Sequence, residues 1–164
     1  MAELAALLQE AGAGFVVDVR SIPRSHANRQ FNADTLPDAL AAYQVGYRPV
    51  GKLGGLRGRR RGQAPSRNVF WENASFRNYA DYAATPGFRE GMAELRDLGR
   101  THVCAIMCAE AVWWRCHRRI IADYLLADGQ AVFHIMGPGK AERASMNPAA
   151  IREPDGTLLY ALTP

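Results

Sequence analysis

Cysteines, export signals and long hydrophobic runs are scarce or missing in this sequence of 164 residues, and each shortage excludes a class of protein. The three cysteines do not form the dense pattern of a small secreted domain held by disulfides, so we expect a reducing, cytoplasmic setting. No hydrophobic run approaches the roughly 18–20 residues that cross a membrane. The chain opens MAELAALLQE, with Glu3 where an export signal carries lysine or arginine. The sequence thus gives no indication of a membrane-bound or exported protein.

Lysine is scarce too, since only Lys52 and Lys140 are lysines and the other 18 of the 20 basic residues are arginines. The segment 20–67 holds ten basic residues against two acidic ones, a balance of +8, whereas the rest of the chain carries −4. Arginine binds phosphate through a planar, two-pronged guanidinium, so this segment could meet a phosphate-bearing ligand or nucleic acid. An arginine-rich composition with a merely solvated loop explains the excess equally well.

The length and composition fit one domain that spans residues 1–164. Hydrophobic residues make up 48% of the chain, and a domain of this size can bury roughly 70% of its unfolded surface. Neither an internal repeat nor a long linker is evident. The segment 51–68 contains five of the fifteen glycines together with five arginines, which predicts a mobile Arg/Gly-rich loop rather than a helix or strand. These arginines are Arg57, Arg59, Arg60, Arg61 and Arg67.

Segments with helical and strand-like patterns alternate along the chain. Apolar stripes at helical spacing, with start and stop residues, predict five helices, at residues 2–11, about 35–45, from 75, from 85 and about 116–128. Short apolar runs predict strands at 15–19, 103–108 and 131–136, with weaker ones at 47–50 and 158–161. Such alternation is typical of an α/β fold, and we expect a single three-layer, Rossmann-like domain with a mainly parallel sheet.

Each of the three strong strands runs into a polar, irregular segment. These segments lie at residues 18–25, 108–118 and 134–140. Parallel strands would bring all three to one edge of the sheet, and ligands bind at that edge in folds of this class. We therefore predict a functional site where the three segments meet.

Four strings in these regions carry a family resemblance. DVRSIPRS, NASFRNYADY, MCAEAVWWRCHR and HIMGPGK follow one another between about Val17 and Lys140. In these strings and in their order the chain resembles the family catalogued as domain of unknown function 488. The resemblance implies an α/β fold and a polar cluster, and it supplies no reaction. Members usually open with a strand of the type Ile-Tyr-Thr-Ile-Gly-His-Ser, whereas this chain starts at the helix that follows. The cluster comprises the matched residues Asp18, Arg20, Cys108, Glu110, Cys116, His117 and Arg118.

The three cysteines differ in their predicted surroundings. Cys104 lies inside a strand and is expected to pack as a small apolar residue. Cys108 ends that strand, where a side chain can face a cleft. Cys116 begins a helix, and its neighbours His117 and Arg118 together with the helix dipole would favour the thiolate. Packing against the core explains Cys116 equally well.

The spacings of the cysteines bear on three known arrangements, which are a metal site, a disulfide and the loop of cysteine phosphatases. Cys104 and Cys108 are roughly 13 Å apart along an extended strand, too far to share one zinc ion at about 2.3 Å from each sulfur. A metal could still be held by Cys108, Cys116 and His117, with Glu110 if the loop folds back, but no metal and no other cofactor is predicted. A disulfide between Cys108 and Cys116 stays open as well. The six residues between Cys108 and the next arginine do not match the Cys-x5-Arg loop of cysteine phosphatases.

The remaining candidates are charged or aromatic residues near the strand ends. Glu110 could act as a general acid or base or form a salt bridge, and His117 could act as acid, base or ligand. Asp18 ends a buried strand, so its carboxylate should be paired. We predict catalytic roles for Cys108, Glu110, Cys116 and His117, and substrate binding by Asp18, Arg20, Arg24, Arg118 and Trp114.

Two functions fit this pattern. One is an enzyme acting on a phosphate-bearing substrate such as a nucleotide or nucleic acid, with Arg20, Arg24 and the loop arginines holding the anion. The other is a non-catalytic module that binds an anion or nucleic acid, in which the polar cluster is structural. The sequence specifies neither the reaction nor the oligomeric state.

Overall fold

A three-stranded parallel sheet forms the centre of the protein in the computed structural model, which describes residues 1–162. Its strands are β1 (Phe15–Asp18), β2 (Gly46–Pro49) and β3 (Cys104–Met107), in the order β2-β1-β3. The central β1 is buried on both faces, which explains its unbroken apolar run. The parallel sheet confirms the prediction of an α/β protein, while its three strands leave the Rossmann-like topology unconfirmed.

Helices cover both faces of this sheet. Val16 of β1 packs in an apolar cluster with Leu8 and Leu40, which lie on α1 (Ala2–Glu10) and α2 (Leu36–Ala41). Val17 points to the opposite face because side chains alternate along a strand. There it joins the larger cluster formed with α3 (Ala74–Tyr82), α4 (Pro86–Thr101) and α5 (Arg118–Ala127). Within residues 1–162, no helix combines the length and apolar character that crossing a membrane requires.

Each helix starts within two residues of its predicted position, and α5 begins at Arg118 rather than at about Cys116. Thr85 precedes α4 and Pro86 occupies its first turn, where a missing N–H costs nothing. The helix α3 begins at Ala74 and is capped by Asn73 rather than by the predicted Ser75. The Asn73 side chain accepts a hydrogen bond of 2.8 Å from the Ser75 backbone N–H, so asparagine satisfies the free amide of the first turn.

The prediction that the apolar run at 131–136 forms a strand of the parallel sheet is wrong. Residues Phe133–Gly137 form β4, which pairs antiparallel with β5 (Lys140–Arg143) in a separate hairpin. The reason lies in the Gly-Pro-Gly sequence that follows, because Gly139 adopts a positive φ of 67° and the chain reverses at once. The segment 134–140 therefore belongs to this hairpin and does not supply the third strand end predicted for the parallel sheet. A second hairpin joins β6 (Ala150–Arg152) to β7 (Leu158–Tyr160).

The Arg/Gly-rich segment 51–68 is anchored at its start. Gly51–Leu53 forms a 3₁₀ helix, and the Leu53 side chain is fully buried under α4. Arg57 donates hydrogen bonds to the carbonyl oxygens of Gly51 and Gly54, and its guanidinium lies 3.8 Å from the centre of the Tyr82 ring. The first part of the segment thus contributes to the core, a feature that its glycine content did not predict.

Candidate functional site

The carboxyl ends of β1 and β3 lie side by side, as the strand-end argument predicted. Asp18 is opposite Met107 in the register of the two strands, and two clefts open beyond this edge. The first, which we call the Cys116 cleft, has a volume of about 540 Å³. The second, the α1 cleft, measures about 570 Å³. Arg20 and Cys108 line both clefts, and the Cys116 cleft is also lined by Ser21, Gly55, Glu110, Arg115, Cys116 and His117.

The Cys116 thiol is surrounded by nitrogen donors and acceptors. Its Sγ lies 3.4 Å from His117 Nδ1, 3.3 Å from Arg118 Nε and 3.5 Å from the Arg118 backbone nitrogen. This packing arises locally, because Cys116 has an extended backbone just before α5 and its sulfur meets the amide and side chains of the first turn.

These contacts shift the pKa values of Cys108 and Cys116 in opposite directions. Hydrogen bonding from the Cys108 thiol, with further support from Arg118, lowers the pKa of Cys116 to about 6 although burial opposes this. The same hydrogen bond, together with burial, raises the pKa of Cys108 to about 12. Cys116 is therefore the thiolate of the pair and Cys108 keeps its proton.

The His117 ring is fixed in one orientation. Its Nε2 lies 2.9 Å from the Val19 carbonyl oxygen, which can only accept, so Nε2 carries the proton. In the neutral ring, Nδ1 is consequently free to accept a proton and faces Cys116. Tyr79 packs edge-on against the ring at 4.9 Å, and Gly55 approaches it so closely that a Cβ there would lie 2.5 Å from Nδ1.

Substituting Gly55→Ala should therefore displace the His117 ring and weaken its contact with Cys116. We expect the rate of Cys116 alkylation at pH 7 to fall on the order of 3- to 10-fold while the protein stays folded. Gly58→Ala is a matched control, because a Cβ at Gly58 meets nothing within 4 Å. Iodoacetamide kinetics with circular dichroism of each variant test this, and equal rates for the two variants would contradict the steric role of Gly55.

A buried ion pair borders both clefts. Asp18 is fully buried, and its carboxylate accepts hydrogen bonds from Arg20 Nε at 2.9 Å and Arg20 Nη2 at 2.6 Å. The hydroxyl of Tyr47 donates a third at 2.5 Å, and Arg20 also donates to the Phe31 carbonyl. The hydrogen bond with Asp18 raises the pKa of Arg20. Asp18 therefore positions Arg20, which in turn lines both clefts.

The other predicted site residues divide into two groups. Glu110 lines the Cys116 cleft, and its carboxylate takes part in no salt bridge among residues 1–162. Arg118 contacts the Cys116 thiol and donates to the Glu110 carbonyl. By contrast, Arg24 and Trp114 are exposed and line neither cleft.

Sequence reasoning missed several residues of the site. Gly55 and Tyr79 hold the histidine, and Arg115 lines the cleft, yet none of them was a candidate. The adjacent Gly54 and Gly55 were the available signal, since paired glycines in a loop often mark a close approach of backbone to another group. A Cβ at Gly54 would lie 2.4 Å from Ser21 Oγ. Trp113 stacks on His134 with ring centres 4.0 Å apart, and Trp114 meets Trp113 edge-on.

The geometry also bears on metal binding. Cys108, Cys116 and His117 each offer a ligand atom, and these atoms lie within 4.8 Å of one another. Glu110 does not belong to this group. The Arg118 guanidinium already contacts the Cys116 sulfur and supplies the positive charge that a thiolate needs. The three side chains could therefore hold a metal ion, and the same contacts also suit a thiolate paired with Arg118.

Comparison with protein-family models gives a match that covers most of the chain. No curated protein and no solved structure matches the chain. A family model described as "Domain of unknown function DUF488" matches residues 1–125. The match covers the whole parallel sheet together with His117 and Arg118, which contact the Cys116 thiol. It includes three of the four strings that carry the resemblance, while HIMGPGK, at 134–140, lies beyond it. The chain belongs to the DUF488 family.

Proposed function

We propose that the protein is an enzyme in which the Cys116 thiolate attacks an electrophilic centre of a phosphate-bearing substrate. The observation that carries the proposal is the position of the Cys116 sulfur, within 3.5 Å of both His117 Nδ1 and the Arg118 side chain, at the wall of an open cleft. A thiolate is the reactive form of cysteine, and neighbouring cations and histidines keep it ionised near neutral pH.

In this proposal His117 and Glu110 transfer the protons. Nε2 of His117 is committed to the Val19 carbonyl, so Nδ1 is the ring atom that exchanges a proton with Cys116 or with the substrate. Glu110 lines the same cleft and is not neutralised by a salt bridge among the described residues. We assign it the proton transfer at the leaving group.

The arginines supply the preference for an anionic substrate. Arg115 lines the Cys116 cleft and forms no salt bridge within residues 1–162, and Arg20 lines it as well. Arg60 and Arg61 are exposed and likewise lack an acidic partner in that range. Such a concentration of positive charge attracts phosphate groups, including those of nucleotides and nucleic acids. The proposed setting is the reducing cytoplasm, where both thiols stay reduced.

The charge preference can be measured without knowing the substrate. Iodoacetamide is neutral and iodoacetate is anionic, and both are small enough for a thiol that is only 4% exposed. Relative to their rates with 2-mercaptoethanol, we expect iodoacetate to be favoured about tenfold at Cys116, because the cleft attracts anions. Arg115→Gln should remove a large part of this preference, whereas Arg100→Gln, an exposed residue on the last turn of α4, should leave it unchanged.

Three results would overturn parts of the proposal. If the ratio of the iodoacetate rate to the iodoacetamide rate at Cys116 equals that of 2-mercaptoethanol, the proposal of an anionic substrate is wrong. A Cys116 thiol that reacts no faster than a buried free thiol would favour the non-catalytic binding module. Stoichiometric zinc in the purified protein, with alkylation restored only by a chelator, would assign the three side chains to a metal site.

A further inference from the structure

We propose that Cys108 and Cys116 form a dithiol which hydroperoxides convert into an intramolecular disulfide, and that this modification reversibly switches off the site. The inference deepens the proposed function, on which it rests for the nucleophile. It is carried by the proximity of two chemically different thiols, whose sulfur atoms lie within 4.8 Å of each other at the border of the Cys116 cleft.

The surrounding backbone permits the two sulfurs to meet. A disulfide requires a sulfur–sulfur distance of about 2.05 Å, so the side chains must rotate and the backbone must move slightly. Cys108 follows the last residue of β3 and Cys116 precedes α5, so neither is held within a strand or long helix. The connection between them contains only one short 3₁₀ helix, Trp113–Arg115, among its described elements.

The chemistry has two balanced steps. In the first, the Cys116 thiolate attacks one peroxide oxygen and the O–O bond breaks. The sulfur is oxidised to a sulfenic acid and the peroxide is reduced. The departing hydroxide, or the alkoxide of an organic hydroperoxide, takes a proton and leaves as water or an alcohol. In the second, the Cys108 thiol transfers its proton and its sulfur attacks Cys116 Sγ. The S–O bond breaks as the S–S bond forms, and water leaves.

The roles of the two thiols follow from their contacts. Cys116 receives hydrogen bonds from the Arg118 side chain and backbone, which favour the thiolate that attacks the peroxide. Cys108 keeps its proton and is adjacent, which suits the thiol that resolves the sulfenic acid. Its position on the wall of both clefts means that the disulfide would alter both.

The third cysteine is excluded from the pair by its position. Cys104 lies in β3, four residues before Cys108, a separation of roughly 13 Å along an extended strand. Its thiol points to the His102 carbonyl oxygen at 3.8 Å. Cys104 therefore provides a matched control with the same chemistry in another place.

The experiment treats the reduced full-length protein with hydrogen peroxide and follows its mass and its free thiols. We expect a loss of about 2 Da, a Cys108–Cys116 peptide in the digest, and full reversal by dithiothreitol. Cys104→Ser should behave like the unaltered protein. Cys108→Ser cannot form the disulfide and should instead accumulate a Cys116 sulfenic acid that dimedone traps. Oxidation should reduce the iodoacetamide labelling of Cys116 by at least about tenfold.

The outcomes separate this inference from the proposed function. If peroxide leaves a stable sulfenic acid in the unaltered protein, or links Cys104 or a second chain, the disulfide is wrong. In that case, rapid alkylation of Cys116 before oxidation would still support its proposed role as the nucleophile. If Cys116 in the reduced protein reacts with neither iodoacetamide nor peroxide, both the nucleophile and the disulfide fail together.

Discussion

Alkylation of the reduced protein by iodoacetamide is expected to reveal one fast-reacting thiol, and Cys116→Ser should abolish it. The pKa of Cys116 is lowered to about 6, so its reaction rate should rise through pH 6 and level off above pH 7 as the thiolate becomes fully populated. The pKa of Cys108 is raised to about 12, and burial raises that of Cys104. At pH 7, Cys116→Ser should therefore lower the labelling rate of the protein on the order of 100-fold or more.

Two further variants test the cause of this effect. Cys108→Ala removes the thiol that donates to Cys116, so the midpoint of the rate–pH curve should move to higher pH. Cys104→Ser should leave the curve unchanged, because Cys104 belongs to the strand and contacts neither thiol of the pair. Mass spectrometry of the labelled peptides between pH 5 and 9 gives the midpoint for Cys116, whereas the labelling of Cys104 and Cys108 should still be rising at the upper end of this range. A midpoint above that of an ordinary free thiol would contradict the assigned thiolate.

The local parts of this site could be predicted because they are adjacent in the sequence. Cys116, His117 and Arg118 are consecutive, and the extended backbone of Cys116 just before α5 brings its sulfur near the two following side chains. The strand-end rule also succeeded for β1 and β3, since two buried apolar runs separated by helices pair in parallel. These features depend on periodicity and on short spacings, which a sequence displays directly.

The parts that failed depend on contacts between distant segments. The apolar run at 131–136 has the composition of a buried strand, but composition does not identify the pairing partner. The turn residues Gly137 and Gly139 decide the outcome in favour of a hairpin. Similarly, nothing near His117 shows that Gly55 will lie against its ring from a loop 62 residues earlier.

Neighbouring aromatic residues show the same limitation on a smaller scale. Trp113 and Trp114 are equivalent by composition, and only the 3₁₀ helix that contains both determines which one turns inward. Trp113 stacks on His134, whereas Trp114 is 43% exposed. Side-chain direction in a short irregular helix depends on packing, which sequence spacing does not encode.

Replacing Asp18 with asparagine should cause the largest loss of stability of any single substitution considered for this protein. Asp18 has no exposed surface, and its carboxylate compensates the charge of Arg20 through two hydrogen bonds. Asparagine keeps the size of the side chain but leaves the guanidinium of Arg20 without a counter-charge. Removing one member of a buried ion pair costs about 3–5 kcal/mol, and urea denaturation should show a corresponding fall in the free energy of unfolding. Asp97→Asn, which breaks an exposed pair with Arg100, should change it by no more than about 0.5 kcal/mol.

A double substitution distinguishes the uncompensated charge from simple loss of packing. Asp18→Asn combined with Arg20→Gln removes both charges, so its stability should exceed that of Asp18→Asn alone even though two residues are changed. If the double variant is the less stable one, the hydrogen bonds around the pair matter more than its charge balance. The same comparison bears on function, because Arg20 lines both clefts and depends on Asp18 for its position. Cys116 contacts neither residue of the pair and the double substitution leaves the net charge unchanged, so both the alkylation rate of Cys116 and its preference for iodoacetate over iodoacetamide should stay close to those of the unaltered protein.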